Sequence, residues 1–146
     1  MNVRSAVPQD FDAVTDLLER LGRAQVTDET RDRCREVYAA QLSDPAVDHL
    51  VAEGEEGQVV GFCSLHFRSR LNHATPQAWV PDLFVLENVR RRGIARALLE
   101  EAEARSIRRG CWEITLESAH QRAEAHQLYA TFGMRDAGRF FRKLLG

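Results

Sequence analysis

The amino-acid sequence predicts an α/β fold: a mixed, mostly antiparallel sheet with one central parallel pair, in the order β-α-α-β-β-β-α-β-α-β-β. Three observations carry this. Stretches with helical spacing of apolar residues alternate with short runs rich in β-branched and aromatic residues along the whole chain. Two of those runs, 46–53 and 59–67, are joined by Gly54-Glu55-Glu56-Gly57, a hairpin loop that makes its strands antiparallel. Two others, 78–86 and 111–117, flank a helix predicted over 94–109. A strand-helix-strand unit of that length is a right-handed crossover between parallel strands.

Taken in order, residues 2–6 read as a short first strand. Pro8 and Asp10 open a helix whose Phe11, Val14, Leu17, Leu18 and Leu21 share one face, and Gly22 ends it. A second helix is expected from Thr27-Asp28, with Cys34, Val37, Tyr38 and Leu42 in register and Pro45 beyond its end. The strand over 59–67 is apolar at nearly every residue, as a central strand covered on both faces should be. Residues 68–77 are polar, contain Pro76 and read as a loop. The helix over 94–109 turns Ile94, Ala97, Leu98 and Ala102 inward and stops at Gly110. A last helix is expected over 122–132, with Ala125, Leu128, Tyr129 and Phe132 in register and Gly133 as its cap. Residues 134–145 are left for a terminal hairpin turning near Ala137-Gly138. No repeat, linker or low-complexity tract interrupts this, so the expectation is one domain over 1–146.

Composition bounds the function. Of 146 residues, 44% are hydrophobic and 29% charged, ordinary for a globular chain, and the net charge of −2 gives no reason to expect nucleic acid or an anionic membrane as partner. Cys34, Cys63 and Cys111 are odd in number, widely spaced and set in apolar stretches. They read as free thiols in a reducing cytoplasm. No signal region and no bilayer-length apolar run is present, so a cytoplasmic location is expected. The five histidines, His49, His66, His73, His120 and His126, lack zinc-ligand spacing, and no metal site is expected.

The chemistry concentrates between the crossover strand and its helix. The apolar run ending at Leu86 is followed by Glu87-Asn88, then Arg90, Arg91, Arg92 and Gly93, and then the helix. The first N–H groups of a helix lack intrahelical partners and lie at its electropositive end, a ready-made anion site. Gly93 permits close approach of the backbone to an anion, and Ala95 is nearly as small. The run has neither the Gly-Lys-Ser/Thr of a P-loop nor the third glycine of a dinucleotide fold. Three arginines in a chain of net negative charge make a poor nucleic-acid patch.

The spacing Arg90-x-x-Gly93-x-Ala95 resembles the Gln/Arg-x-x-Gly-x-Gly/Ala pyrophosphate loop of the GNAT acetyltransferases, which bind acetyl-coenzyme A. The segment Ala125-x-x-x-Tyr129-x-x-x-Gly133-Met134 is similar to that family's Ala-x-x-x-Tyr-x-x-x-Gly-Phe segment, with Met134 in place of phenylalanine. The opening Val3 to Asp10 and the element order fit the same family. The resemblance therefore spans almost the whole chain.

It implies several roles. The loop Arg90, Arg91, Arg92, Gly93, Ile94, Ala95 and Arg96 would hold the pyrophosphate. The strand before it would carry a bulge and splay from its parallel neighbour, and the main chain of Leu83, Phe84 and Val85 would bind the pantetheine and polarise the thioester carbonyl. Pro81 fits such an interruption, because it cannot donate a ladder hydrogen bond. Tyr129 would protonate the departing thiolate; an aromatic on an apolar helix face is its plain alternative. Asp82 would be the base toward the amine, or else a salt-bridged or outward-facing carboxylate, with Glu53, Glu117, His66 and His120 in reserve. Arg122 stands where many relatives have an asparagine that contacts the coenzyme.

The reaction implied is transfer of an acetyl group from acetyl-CoA to a primary amine, by direct attack in a ternary complex. The loop over 65–73 and the Ala-His-x-x-Tyr pattern look like bacterial small-amine acetyltransferases, of the aminoalkylphosphonate and aminoglycoside kinds. Arg68 and Arg70 could meet an anionic group on such an acceptor. The competing readings are a noncatalytic coenzyme-binding regulator and an enzyme acting on a protein amine. A homodimer is left open.

Overall fold

The computed structural model describes residues 2–117 and 123–146. Two compact units are present, residues 1–116 and 117–146.

The first unit is a five-stranded sheet in the order β1 (Asn2–Ser5), β2 (Val47–Glu53), β3 (Val59–Arg68), β4 (Gln77–Val85) and β5 (Glu113–Leu116). The first three pairings are antiparallel and β4–β5 is parallel, joined through α3 (Ile94–Arg108). Consecutive strand residues go to opposite faces. Leu50, Ala52, Cys63, Leu65, Ala78 and Val80 pack in one cluster with Ile94, Leu98 and Ala102 of α3. Val51, Phe62 and Phe84 pack in the other with Phe11, Val14 and Leu17 of α1 (Phe11–Leu21) and Tyr38 of α2 (Arg31–Ser43). Three layers result, with α1 and α2 on one face and α3 on the other.

Boundaries differ from expectation where local hydrogen bonds intervene. Pro8–Asp10 forms a 3-10 turn ahead of α1, and the Asp10 carboxylate accepts from the Val7 N–H at 2.8 Å. Asp10 also pairs with Arg4, which reaches on to Glu53, and these contacts hold its carboxyl below the usual range. Helix α2 starts at Arg31 rather than near Thr27, because the Thr30 hydroxyl accepts from the Thr27 N–H at 2.9 Å and holds a turn there. A side chain bonded to nearby backbone competes with the helix in this way. Helix α1 ends as expected on Gly22. The three cysteines are free thiols; Cys63 is buried, and burial pushes its thiol up to about 12.

The second unit holds α4 (Ala123–Thr131), closed by N–H groups of Phe132 and Gly133 bonding back to Leu128 and Ala130. Arg122 and His120 lie outside the described residues. Residues 134–146 hold no strand, so the expected hairpin is not formed. Only a local turn survives at its predicted apex, where the Gly138 N–H donates to Asp136. An isolated two-stranded hairpin is marginal in water without further strands to cover it, and Phe140, Phe141, Leu144 and Leu145 are exposed.

One close approach ties the sheet to α3. A Cβ on Gly61 would meet Leu98 Cδ1 at 3.1 Å and Ile94 Cγ2 at 3.3 Å. Glycine is required there by proximity rather than by dihedral angle. Gly61→Val is expected to lower stability by about 1–3 kcal/mol through overpacking, read as a reduced urea midpoint with an unchanged m-value.

Candidate functional site

The site is organised by a fault in β4. On β3, Ser64 pairs with Asp82 and His66 with Trp79, so Val80 and Pro81 together oppose the single residue Leu65. That is a β-bulge, with Pro81 inside it. The parallel ladder to β5 ends at the same level, its last partners being Val80 and Leu116. Beyond it, β4 keeps β3 as partner on one side, and no strand pairs with the other edge among the described residues.

Alternation fixes which groups face that edge. The Leu86 N–H donates to the Val60 carbonyl on β3 at 2.9 Å. By the antiparallel pattern Phe84 also turns its main chain to β3, while Leu83 and Val85 turn theirs to the opened edge. Phe84 instead contributes a buried ring to the α1/α2 core. Arginines already reach two carbonyls along this line. Arg23 Nη2 donates to Pro81 O and Arg90 Nε to Val85 O, both at 3.0 Å.

The strand runs through a 3-10 turn, Glu87–Val89, into a loop of unusual backbone. Arg91 has φ 66° and Gly93 φ 79°, both left-handed. Left-handed residues in such a turn, followed by a helix start, point successive N–H groups toward one concavity. Ile94 is buried against the sheet, so it offers only its main chain to a ligand. Ala95 packs partly on the same core. Arg90 is anchored by Val85 O and lies over the Phe84 ring at 5.2 Å. Arg92 is exposed, and Arg96 approaches Glu100 at 3.7 Å.

On the α1/α2 face, a polar cluster surrounds the bulge. The Ser64 hydroxyl and His66 Nε2 are 3.0 Å apart, spanning the position opposite Val80 and Pro81. His66 packs on Trp79 and on His49, with ring centroids 5.4 and 6.2 Å away. His49 Nε2 bonds Gln41 Oε1 of α2 at 2.7 Å and stacks on Tyr38. Burial, then the neighbouring His66, pushes His49 down to about 4. Burial lowers His66 as well, against the pull of Asp82. His49 Nδ1 and Trp79 Nε1 are the two buried side-chain polar atoms without a partner among the described residues.

The sequence signature of the Acetyltransferase (GNAT) family matches residues 11–134. An aminoalkylphosphonate N-acetyltransferase of Salmonella typhimurium is 31% identical over 98% of this chain and 90% of its own length. The chain belongs to the GNAT acetyltransferase family. An aminoglycoside N(6')-acetyltransferase type 1 of Serratia marcescens is 26% identical over 72% of this chain and 75% of its own. Among solved structures, an acetyltransferase from Agrobacterium tumefaciens shares the fold at TM-score 0.85, with 24% identity and coverage of 99% and 100% of the two chains.

Within this GNAT fold the expected site residues sort unevenly. The residues from Arg90 to Arg96 do form the turn entering α3. Asp82 shares the α1/α2 face but is ion-paired, its Oδ1 receiving Arg23 Nε at 2.7 Å. The salt-bridged alternative weighed from the sequence is therefore the arrangement present. Glu53 is committed to Arg4 and Asn2 at the far side of the sheet. Arg68 bonds Gln77 and covers the Trp79 ring rather than projecting freely. Tyr129 lies on α4, its ring 6.4 Å from that of His126. A depression of roughly 360 Å³ on the outer flank of α1 is acidic, but Asp12 and Asp16 there already pair with arginines.

The sequence reading passed over Ser64, Arg23 and Trp79, and named His49 only among histidines without zinc-ligand spacing. A usable signal did exist: Ser64 and His66 are the polar residues of a strand otherwise apolar on both faces over 59–67, and such positions need a reason.

The buried His49 predicts an acid-labile fold. The unfolded chain binds a proton near 6.5, whereas folded His49 does so only near 4. Its contribution is complete above 6.5 and is lost as pH falls toward 4, by about 3 kcal/mol in all. Loss of stability in urea melts between those two pH values, reduced in His49→Gln, is the expected result.

Proposed function

We propose that this protein transfers the acetyl group of acetyl-coenzyme A to a primary amine of a small molecule, by direct attack within a complex that holds both. The observation that carries this is the coincidence of the β4 bulge, the end of the β4–β5 ladder and the left-handed turn at Gly93. Together they offer a strand edge that no strand pairs among the described residues, beside a helix N-terminus, a shape that suits a molecule with an amide-bearing arm and a diphosphate. Leu83 and the N–H of Val85 face that edge, where the arm's amides would meet them; the Val85 carbonyl already takes Arg90 Nε. The N–H groups entering α3, with Arg91, Arg92 and Arg96 around them, suit the diphosphate. When bound, the coenzyme supplies an activated acyl group.

The chain's own residues must then do three things. They must align an uncharged amine with the thioester carbon, remove a proton from the attacking nitrogen, and neutralise the departing thiolate. Asp82, fixed by Arg23 one residue before Leu83, is a carboxylate suited to drawing in a cationic amine. Tyr129 is assigned as the acid toward the coenzyme sulfur, on its place in the Ala125 to Met134 segment and on its hydroxyl. The names of the curated relatives, which acetylate aminoalkylphosphonates and aminoglycosides, support a small amine over a protein terminus.

A panel of small amines, scored by thiol release from acetyl-CoA, tests this directly. At least one aminoalkylphosphonate or aminoglycoside should give turnover. Tyr129→Phe is expected to lower kcat by about 10²-fold while leaving the thermal shift on adding acetyl-CoA intact. Gly93→Val should reduce that thermal shift, because a β-branched residue is strained at positive φ. Stabilisation by acetyl-CoA without turnover on any amine would favour a noncatalytic regulator.

A further inference from the structure

We propose that His66, acting through the Ser64 hydroxyl at its Nε2, takes up the proton that the acceptor amine loses during acetyl transfer. This deepens the reading above and rests on it. The geometry comes first. The same bulge that frees the β4 edge leaves Ser64 and His66 on either side of the interruption, 3.0 Å apart. Ser64 pairs with Asp82 across the β3–β4 ladder, so its hydroxyl shares the α1/α2 face with that carboxylate and lies level with the start of the opened stretch of β4, one strand in from the edge itself. Ser64 is 2% exposed, which shields the relay from bulk water.

The surroundings favour a ring that is neutral before the step and tolerates charge after it. Burial lowers His66, so it is unprotonated and able to accept at neutral pH. The groups facing it act in both directions. Asp82 on β4 and Asp44 at the end of α2 favour the cation, Arg68 on β3 opposes it, and Arg23 offsets part of the Asp82 charge. His49 on β2 is itself pushed down to about 4 and so adds no charge at neutral pH. Asp82 thus serves as the counter-charge for an imidazolium, which accounts for a carboxylate already clamped by Arg23.

In the step, the amine nitrogen forms a bond to the thioester carbonyl carbon and the carbon–sulfur bond breaks with its electron pair on sulfur. One nitrogen–hydrogen bond of the amine breaks. That proton passes to Ser64 Oγ as the hydroxyl proton moves to His66 Nε2, giving an imidazolium. The imidazolium returns its proton to solvent between turnovers, and the thiolate takes one from Tyr129.

The test compares wild type, His66→Gln and Ser64→Ala from pH 5 to 9, with an amine that the wild type accepts. His66→Gln should lose at least tenfold in kcat at pH 7.5, with the KM for acetyl-CoA and the coenzyme-induced thermal shift unchanged. The ratio of wild-type to variant kcat should rise with pH through one ionisation below 6.5 and then level off. Ser64→Ala should show the same pH dependence with a smaller loss. A ratio that is constant across pH means a structural role only and overturns the inference, as does retention of wild-type kcat by His66→Gln. Should His66→Gln not fold, Ser64→Ala decides by the same pH criterion. Absence of turnover by wild type with every amine defeats the functional reading itself, and is told apart by being independent of either substitution.

Discussion

A proline inside a central strand is the constraint from which the rest of this molecule follows. Pro81 lacks the N–H that a ladder requires and has a fixed φ, so β4 cannot pair regularly through it. The chain resolves this with two residues opposite one, and the parallel pairing with β5 ends at the same level. The opening is thus built into the covalent structure rather than induced by a ligand. Its conformational cost is met during folding, which leaves more of the binding energy of a ligand for orientation.

The two faces of the sheet divide the labour around that fault. On the α3 side, packing is apolar and tight, and Gly61 lets α3 come close enough for Ile94 to lock its first turn. A rigid first turn keeps the N–H groups after Gly93 aimed in one direction. On the α1/α2 side, the core gives way near the bulge to Ser64, His66, His49, Trp79 and Asp82. Burying one imidazole, half-burying another and leaving two polar atoms unpartnered there costs stability. Concessions of that kind gather where chemistry, rather than folding, sets the residue.

Much of this was legible beforehand. Helical spacing in Phe11 to Leu21, the Gly54–Gly57 hairpin and the crossover through α3 placed the sheet and its parallel pair correctly. The bulge was implied by the family resemblance, and Pro81 fitted it because a missing donor is a property of the residue itself. What could not be read depends on contacts far apart in sequence. The pairing of Arg23 with Asp82 joins the end of α1 to β4, and it is the salt-bridged arrangement, one of the two weighed for that carboxylate. The Ser64–His66 hydrogen bond is close in sequence, but its meaning comes from the two β4 residues opposite. The terminal hairpin was overestimated because alternation near Phe140 carries no information about whether other strands stand ready to cover it.

The ion pairs described above share one property: their cations are all arginines, and Lys143 is the only lysine in the chain. A guanidinium stays protonated at any physiological pH and is a poor nucleophile, whereas a lysine amine near a thioester is a ready acyl acceptor. A protein that holds an activated acyl group therefore carries a single side-chain amine, Lys143, that the group could modify by accident. Its electrostatic framework is inert toward its own reagent.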